Sequence, residues 1–274
     1  MHYLPDPVSA RAMSTNELRA HFLVRELFQP GAATYRHIDL DRVVLGGVMP
    51  MQRPLRLEPP ASIASTYFAE RREIGVLNIG GAGTVSVDGT VHRVSHRDVL
   101  YVGRGSREVS FASDHVGSPA SFYLVSYPAH VTCPTTLVRH DEAQASELGD
   151  SEHANRRILR RYIHADGAGS AQLVMGITEL QPGSVWNSMP PHTHHRRTEV
   201  YLYFGVPADG AVFHLLGEPQ ETRHLLVHDA EVVLAPGWSI HAGCGTSQYA
   251  FCWAMGGENQ EFADMQAAPV STLL

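Results

Sequence analysis

Short apolar runs, each closed by a turn signal, restrict this chain to a β architecture. Strand-like runs fall at 42–49, 74–79, 84–87, 99–102, 121–126, 172–180, 199–204, 211–216, 223–227, 231–234 and 249–255. Turn signals divide them at Asp88-Gly89, Pro182-Gly183, Asp209-Gly210, Gly217-Glu218-Pro219 and Pro236-Gly237. Many short strands at such spacing pack as an all-β sandwich or barrel. The one glycine-rich stretch, Gly80–Gly83, leads into alternating residues and an Asp-Gly pair, so it predicts a hairpin and no phosphate cradle. A helical pattern is clearest at 14–26.

The strand series occurs twice, over 60–130 and 170–260, with a polar stretch at 140–161 between them. That pattern predicts an N-terminal β domain over 1–140, a linker over 141–170 and a C-terminal β domain over 171–274, with a few short helices.

Composition removes several classes of function. The net charge of −7 opposes nucleic-acid binding, which needs a basic face. No apolar run reaches the roughly 18 residues of a membrane helix. The N-terminus has no basic start followed by a compact apolar core, so a cytoplasmic protein is expected. Cys133, Cys244 and Cys252 form no CxxC pair, which disfavours both a disulfide framework and a thiolate metal site. All 21 basic residues are arginine. Without lysine there is no Schiff base, so imine-forming aldolase and pyridoxal-phosphate chemistry are excluded.

One segment carries metal chemistry: Pro190-Pro191-His192-Thr193-His194-His195-Arg196-Arg197-Thr198-Glu199. His192 and His194 lie two apart, so an extended strand points both to one face. Glu199 lies five beyond His194, and a straight strand would send it to the other face. The polar residues 195–198 must therefore turn. Beyond the turn, Glu199, Tyr201 and Tyr203 share the face expected to look into a metal cavity. His195 points away from the ligands by the same parity. A second segment, Pro236-Gly237-Trp238-Ser239-Ile240-His241, supplies a turn and a fourth candidate ligand, His241. Three imidazoles and a carboxylate suit zinc, iron, manganese, nickel or copper. One negative ligand against a divalent ion leaves the site positive, which favours an anionic substrate.

These residues resemble the cupin superfamily, whose first motif is matched by His192, His194, Glu199 and Gly205 and whose second is matched by Pro236, Gly237 and His241. Gly245 stands where that second motif closes on Asn. A closer resemblance runs along nearly the whole chain, to the 5-keto-4-deoxyuronate isomerase family. It is carried by FAERREIGVLNIGGAG at 68–83, VDGTVHRVSHRDVLYVG at 87–103, WNSMPPHTHHRRTEVY at 186–201, PQETRH at 219–224, WSIH at 238–241 and GENQ at 257–260. His195 departs from it, standing where an acidic residue is expected. The resemblance implies a two-cupin fold of β-barrel or jelly-roll domains, with the metal site in the C-terminal one. It also implies one zinc per chain and a homo-oligomer, a hexamer. The implied activity is a ketol isomerisation in pectin and uronate catabolism, converting 5-dehydro-4-deoxy-D-glucuronate to 3-deoxy-D-glycero-2,5-hexodiulosonate.

Such a reaction moves a proton between neighbouring carbons through an enediolate, which a Lewis acid stabilises. The candidates for moving the proton are Glu199, Tyr201, Tyr203, Glu221 and His224. Arg197 and Arg223 are the candidates for gripping a substrate carboxylate. The ligand set also suits an Fe(II) dioxygenase, and a non-catalytic sugar-binding cupin is a third reading. In the N-terminal half, His92 and His96 have no Glu to complete a ligand set, which predicts a structural or interface role there.

Overall fold

The computed structural model describes all 274 residues, and all eleven expected strands form, with ends displaced by a few residues. The Asp88-Gly89 hairpin forms as expected. Both residues sit at positive φ, 47° and 85°, the backbone that a two-residue turn between right-twisted strands requires. The helix expected over 14–26 is shorter, Thr15–Phe22, opened by a reciprocal Ser14/Glu17 capping box. It stops because Leu23 and Val24 go extended and pair with Val233 and Val232.

The chain forms two compact units. The first comprises Met1–His2, Glu26–Ala143 and Tyr162–Met175. It holds a six-stranded sheet in the order Thr136–Val138, Val99–Val102, Arg72–Asn78, Phe122–Pro128, Val44–Val48, Ala33–His37. A four-stranded sheet accompanies it, in the order Leu55–Arg56, Val109–Ser113, Gly83–Val87, Thr90–Val94. Val76, Leu100, Phe122 and Leu124 from the larger sheet meet Val85, Val94 and Phe111 from the smaller in one apolar core. Within this unit, Glu73 is fully buried, and its carboxylate accepts from Tyr101 Oη and from the backbone N–H groups of Ala171, Gln172 and Leu173. Four donors compensate the burial of its charge.

The second unit comprises Tyr3–Arg25, Gln144–Arg161 and Gly176–Leu274. Its larger sheet runs in the order Leu23–Val24, Val232–Ala235, Arg197–Phe204, Ala250–Gly257, Val174–Leu180, Arg157–Ile163, Gln144–Leu148. The smaller runs Trp186–Asn187, Ala242–Gly245, Val212–Glu218, Glu221–Val227. Two departures from the sequence reading stand out. Residues 141–170, expected to be a linker, carry two paired strands with Gln144 opposite Arg161. They are polar because Gln144–Leu148 is an exposed sheet edge and Arg157–Ile163 is only half-buried until its last two residues. The N-terminal residues 3–25, expected with the first domain, cluster with the second unit. No helix is long and apolar enough to cross a membrane.

Candidate metal centre

The two candidate segments meet inside the second unit. His192 and Thr193 form a short strand that pairs with Gln266–Ala267. The chain then turns at His195–Arg196, and Arg197 N–H returns to His194 O. The strand Arg197–Phe204 begins there, so Glu199 rejoins the histidines, as its spacing requires. A turn closed by Ser239 N–H on Pro236 O delivers His241 from the other side. Gly237 lets the backbones touch: a Cβ there would lie 2.6 Å from His194 O.

His192, His194, Glu199 and His241 each turn one donor atom into a common point, all within 4.8 Å of one another. His241 Nε2 lies 3.0 Å from Glu199 Oε2 and 3.0 Å from His192 Nε2, and His194 Nε2 lies 3.2 Å from Glu199 Oε2. His194, Glu199 and His241 are buried and His192 is partly exposed. Burial alone would raise the Glu199 carboxyl, but the charge of His241 and hydrogen bonds from both buried histidines hold it well below the usual carboxylate range. Burial also disfavours the charged His194 ring, yet the hydrogen bond to Glu199 and its charge outweigh that and push His194 up. His192 is pulled down to about 3 by burial and by His241 beside it, so its ring stays neutral. Four convergent donors of this chemistry fit one borderline divalent ion.

The ring of His194 is held from behind. Its Nδ1 lies 2.9 Å from Asp264 O, and a carbonyl only accepts, so Nδ1 carries the hydrogen and Nε2 is left to face the cluster. Arg197 supports the same carbonyl, donating to it from Nη2 at 3.0 Å. Asn259 Nδ2, in the GENQ segment, donates to the Asp264 carboxylate at 2.6 Å and ties down the loop that presents it.

His192, His194 and Glu199 line a cavity of about 280 Å³. Tyr201 also lines it, and its phenol is kept protonated because burial, then the Glu199 charge, pushes it well above its ordinary range. Ser188, another lining residue, adopts a left-handed φ of 39°, a strained backbone for a non-glycine residue. Leu148, Leu159, Trp253, Met255, Phe262 and Met265 make much of the wall apolar.

The other expected residues stand elsewhere. Tyr203 shares Tyr201's face but lies deeper, where its phenol meets His214 Nδ1 at 2.7 Å. Both are fully buried, and burial pulls His214 down to about 3. Arg197 is 2% exposed and does not line the cavity; its guanidinium serves the His194 support. Arg223 and His224 lie on the Glu221–Val227 strand, outside the cavity lining. Arg223 pairs with Glu221 at 2.8 Å and donates to Arg11 O, and His224 is exposed against Phe213. They were expected at the site because alternation gives a strand's two faces but not which face looks inward. Sequence reasoning missed His214 and Arg157. His214 shares a strand face with Val212 and Leu216, both buried, so that parity was a readable signal. Arg157 and Leu159 share a face in a segment too arginine-rich to be read as a strand, and both line the cavity.

Fold and site together define a cupin-type β protein with a cluster of three histidines and one glutamate able to hold a cation. Residues 23–270 match the KduI/IolB family, and the chain belongs to that family. Three relatives bear the name 4-deoxy-L-threo-5-hexosulose-uronate ketol-isomerase. The protein of Kineococcus radiotolerans is 53% identical over 99% of this chain and 98% of its own. That of Opitutus terrae is 50% identical over 100% and 99%. That of Escherichia coli O157:H7 is 47% identical over 96% of each. Among solved structures, an IolB-like protein of Salmonella typhimurium aligns with a TM-score of 0.72 at 13% identity, covering 90% of this chain and 96% of that one. The oxalate decarboxylase of Lactobacillus farciminis aligns with a TM-score of 0.59 at 12% identity, over 89% of both chains. At such identities these two likenesses show the fold alone.

Proposed function

We propose that this chain is a zinc-dependent ketol-isomerase of uronate catabolism that converts 5-dehydro-4-deoxy-D-glucuronate to 3-deoxy-D-glycero-2,5-hexodiulosonate. The observation that carries this reading is the four-donor cluster opening into a cavity, in a chain matched end to end by proteins named for that reaction. His192, His194, Glu199 and His241 would hold the ion. When bound, it supplies Lewis-acid stabilisation of the oxygen that becomes anionic in an enediolate.

The chain's own groups supply the rest. Asp264 O fixes the His194 tautomer so that Nε2 faces the cluster. Tyr201 keeps its proton on the phenol oxygen inside the cavity and offers it as a hydrogen bond to substrate oxygen. Of the groups expected to move the carbon-bound proton, Glu199 and Tyr201 line the cavity; Tyr203, Glu221 and His224 do not. The absence of lysine leaves no imine route. A two-cupin reading of the paired units, and a hexameric assembly, accompany this proposal through the family resemblance.

The test pairs metal analysis of purified protein with an assay on the unsaturated uronate released from pectate. Stoichiometric metal with aldose–ketose conversion, both lost in His192→Ala, is expected. Fully metal-loaded protein that leaves the keto-uronate unchanged sinks the proposal.

A further inference from the structure

We infer that Arg157 is the carboxylate anchor of the cavity, so that the site selects open-chain sugar acids carrying their anion at the end remote from the isomerised carbons. The inference rests on the ketol-isomerase reading for the reaction, but the residue is chosen by geometry. Only two ionisable side chains other than histidine and tyrosine line the cavity, Glu199 and Arg157. Glu199 is committed to the histidine cluster. Arg157 is therefore the one permanent cation facing the space.

Its other interactions leave it available. Arg157 opens the strand Arg157–Ile163 and spends one donor on a nearby backbone oxygen, Nη1 to Asn155 O at 2.7 Å. That contact fixes the side chain without neutralising it. Neighbouring arginines of the same strand are committed: Arg160 pairs with Glu179 at 3.0 Å, and Arg161 lies over the Phe262 ring. A half-buried guanidinium with no carboxylate partner is costly to keep beside apolar residues such as Leu148 and Leu159. An incoming carboxylate would complete it, through the two-pronged geometry that guanidinium and carboxylate share. The cluster binds the hydroxyl–carbonyl end, and Arg157 binds the acid end. This replaces Arg197 and Arg223, which the sequence nominated and which do not line the cavity.

The experiment compares wild type, Arg157→Met and Arg157→Lys, all metal-loaded and checked for metal content. Steady-state kinetics on the keto-uronate is one readout. Calorimetric binding of D-gluconate against uncharged sorbitol is the other, and it needs no turnover. The Met variant is expected to keep its metal, to raise KM roughly tenfold to a hundredfold, as loss of a charge-assisted hydrogen bond implies, and to lose its preference for gluconate. The Lys variant is expected to recover part of that preference. If wild type prefers gluconate through Arg157 yet leaves the keto-uronate unchanged, the anchor stands and the isomerase reading falls. An Arg157→Met protein with unchanged KM and unchanged gluconate preference overturns the anchor.

Discussion

Replacing Gly176 with alanine tests how the cavity floor is built. Gly176 lies in the strand Val174–Leu180, under the indole of Trp253. A Cβ there would sit 2.1 Å from Trp253 Cζ2 and 2.4 Å from Arg160 O. The indole must give way by more than an ångström, and the carbonyl, which belongs to the neighbouring strand, must shift at the expense of its ladder. Overpacking of this kind costs about 1–3 kcal/mol. The displaced indole would also lose its Nε1 hydrogen bond to Thr178 Oγ1, now 3.1 Å, worth about 0.5–1.5 kcal/mol. Against this, alanine restricts the unfolded chain and returns about 0.4–1 kcal/mol. The net expectation is a loss of about 0.5–4 kcal/mol. Trp253 lines the cavity, so KM for the keto-uronate should rise as well. Urea denaturation of the metal-loaded protein measures the first effect. A double-mutant cycle with Trp253→Leu isolates the indole's share, because removing the indole relieves its contact while the one with Arg160 O remains, and a coupling of about 1 kcal/mol or more is expected. Additive effects of the two substitutions, or a Gly176→Ala cost below about 0.5 kcal/mol, would refute the reasoning.

Three further outcomes follow from the site. Tyr201→Phe should lower kcat about 100-fold or more while metal content stays at the wild-type level, as expected for a lost hydrogen-bond donor to a developing oxyanion; a normal kcat would remove Tyr201 from the chemistry. Arg223→Ala and His224→Ala should each leave kcat/KM within about twofold, since both lie outside the cavity lining, and a large loss in either would reinstate the sequence expectation. In metal-free protein, His192 and His214 are each held down to about 3 from an ordinary 6.5, so between those values the unfolded chain binds more protons than the folded one. Stability should therefore fall as pH drops below about 6.5, although His194, pushed up, works in the opposite sense. Denaturant midpoints at pH 7 and pH 5 in chelator check the sign. The fall should shrink in His214→Phe, and a midpoint that rises on acidification contradicts the assignment.

Much of this protein follows from local pattern. Strand existence was legible because alternation and turn residues act over a few neighbours, as at Asp88-Gly89. The four ligand candidates were legible for the same reason, since strand parity set His192 with His194 and forced the turn before Glu199. Edge strands such as Gln144–Leu148 were not legible, because their backbone hydrogen bonds form without an apolar face to mark them. The sequence by itself determined the β class, the donor set and, through the absence of lysine, which carbonyl chemistry is closed. Tertiary structure alone decided what surrounds those donors. It drew Asp264 O onto His194 across 70 residues, buried Arg197 behind that contact, set Tyr203 below Tyr201 and turned Arg157 into the cavity. Parity along a strand divides side chains between two faces, and only the packing of one sheet against another settles which face encloses the site.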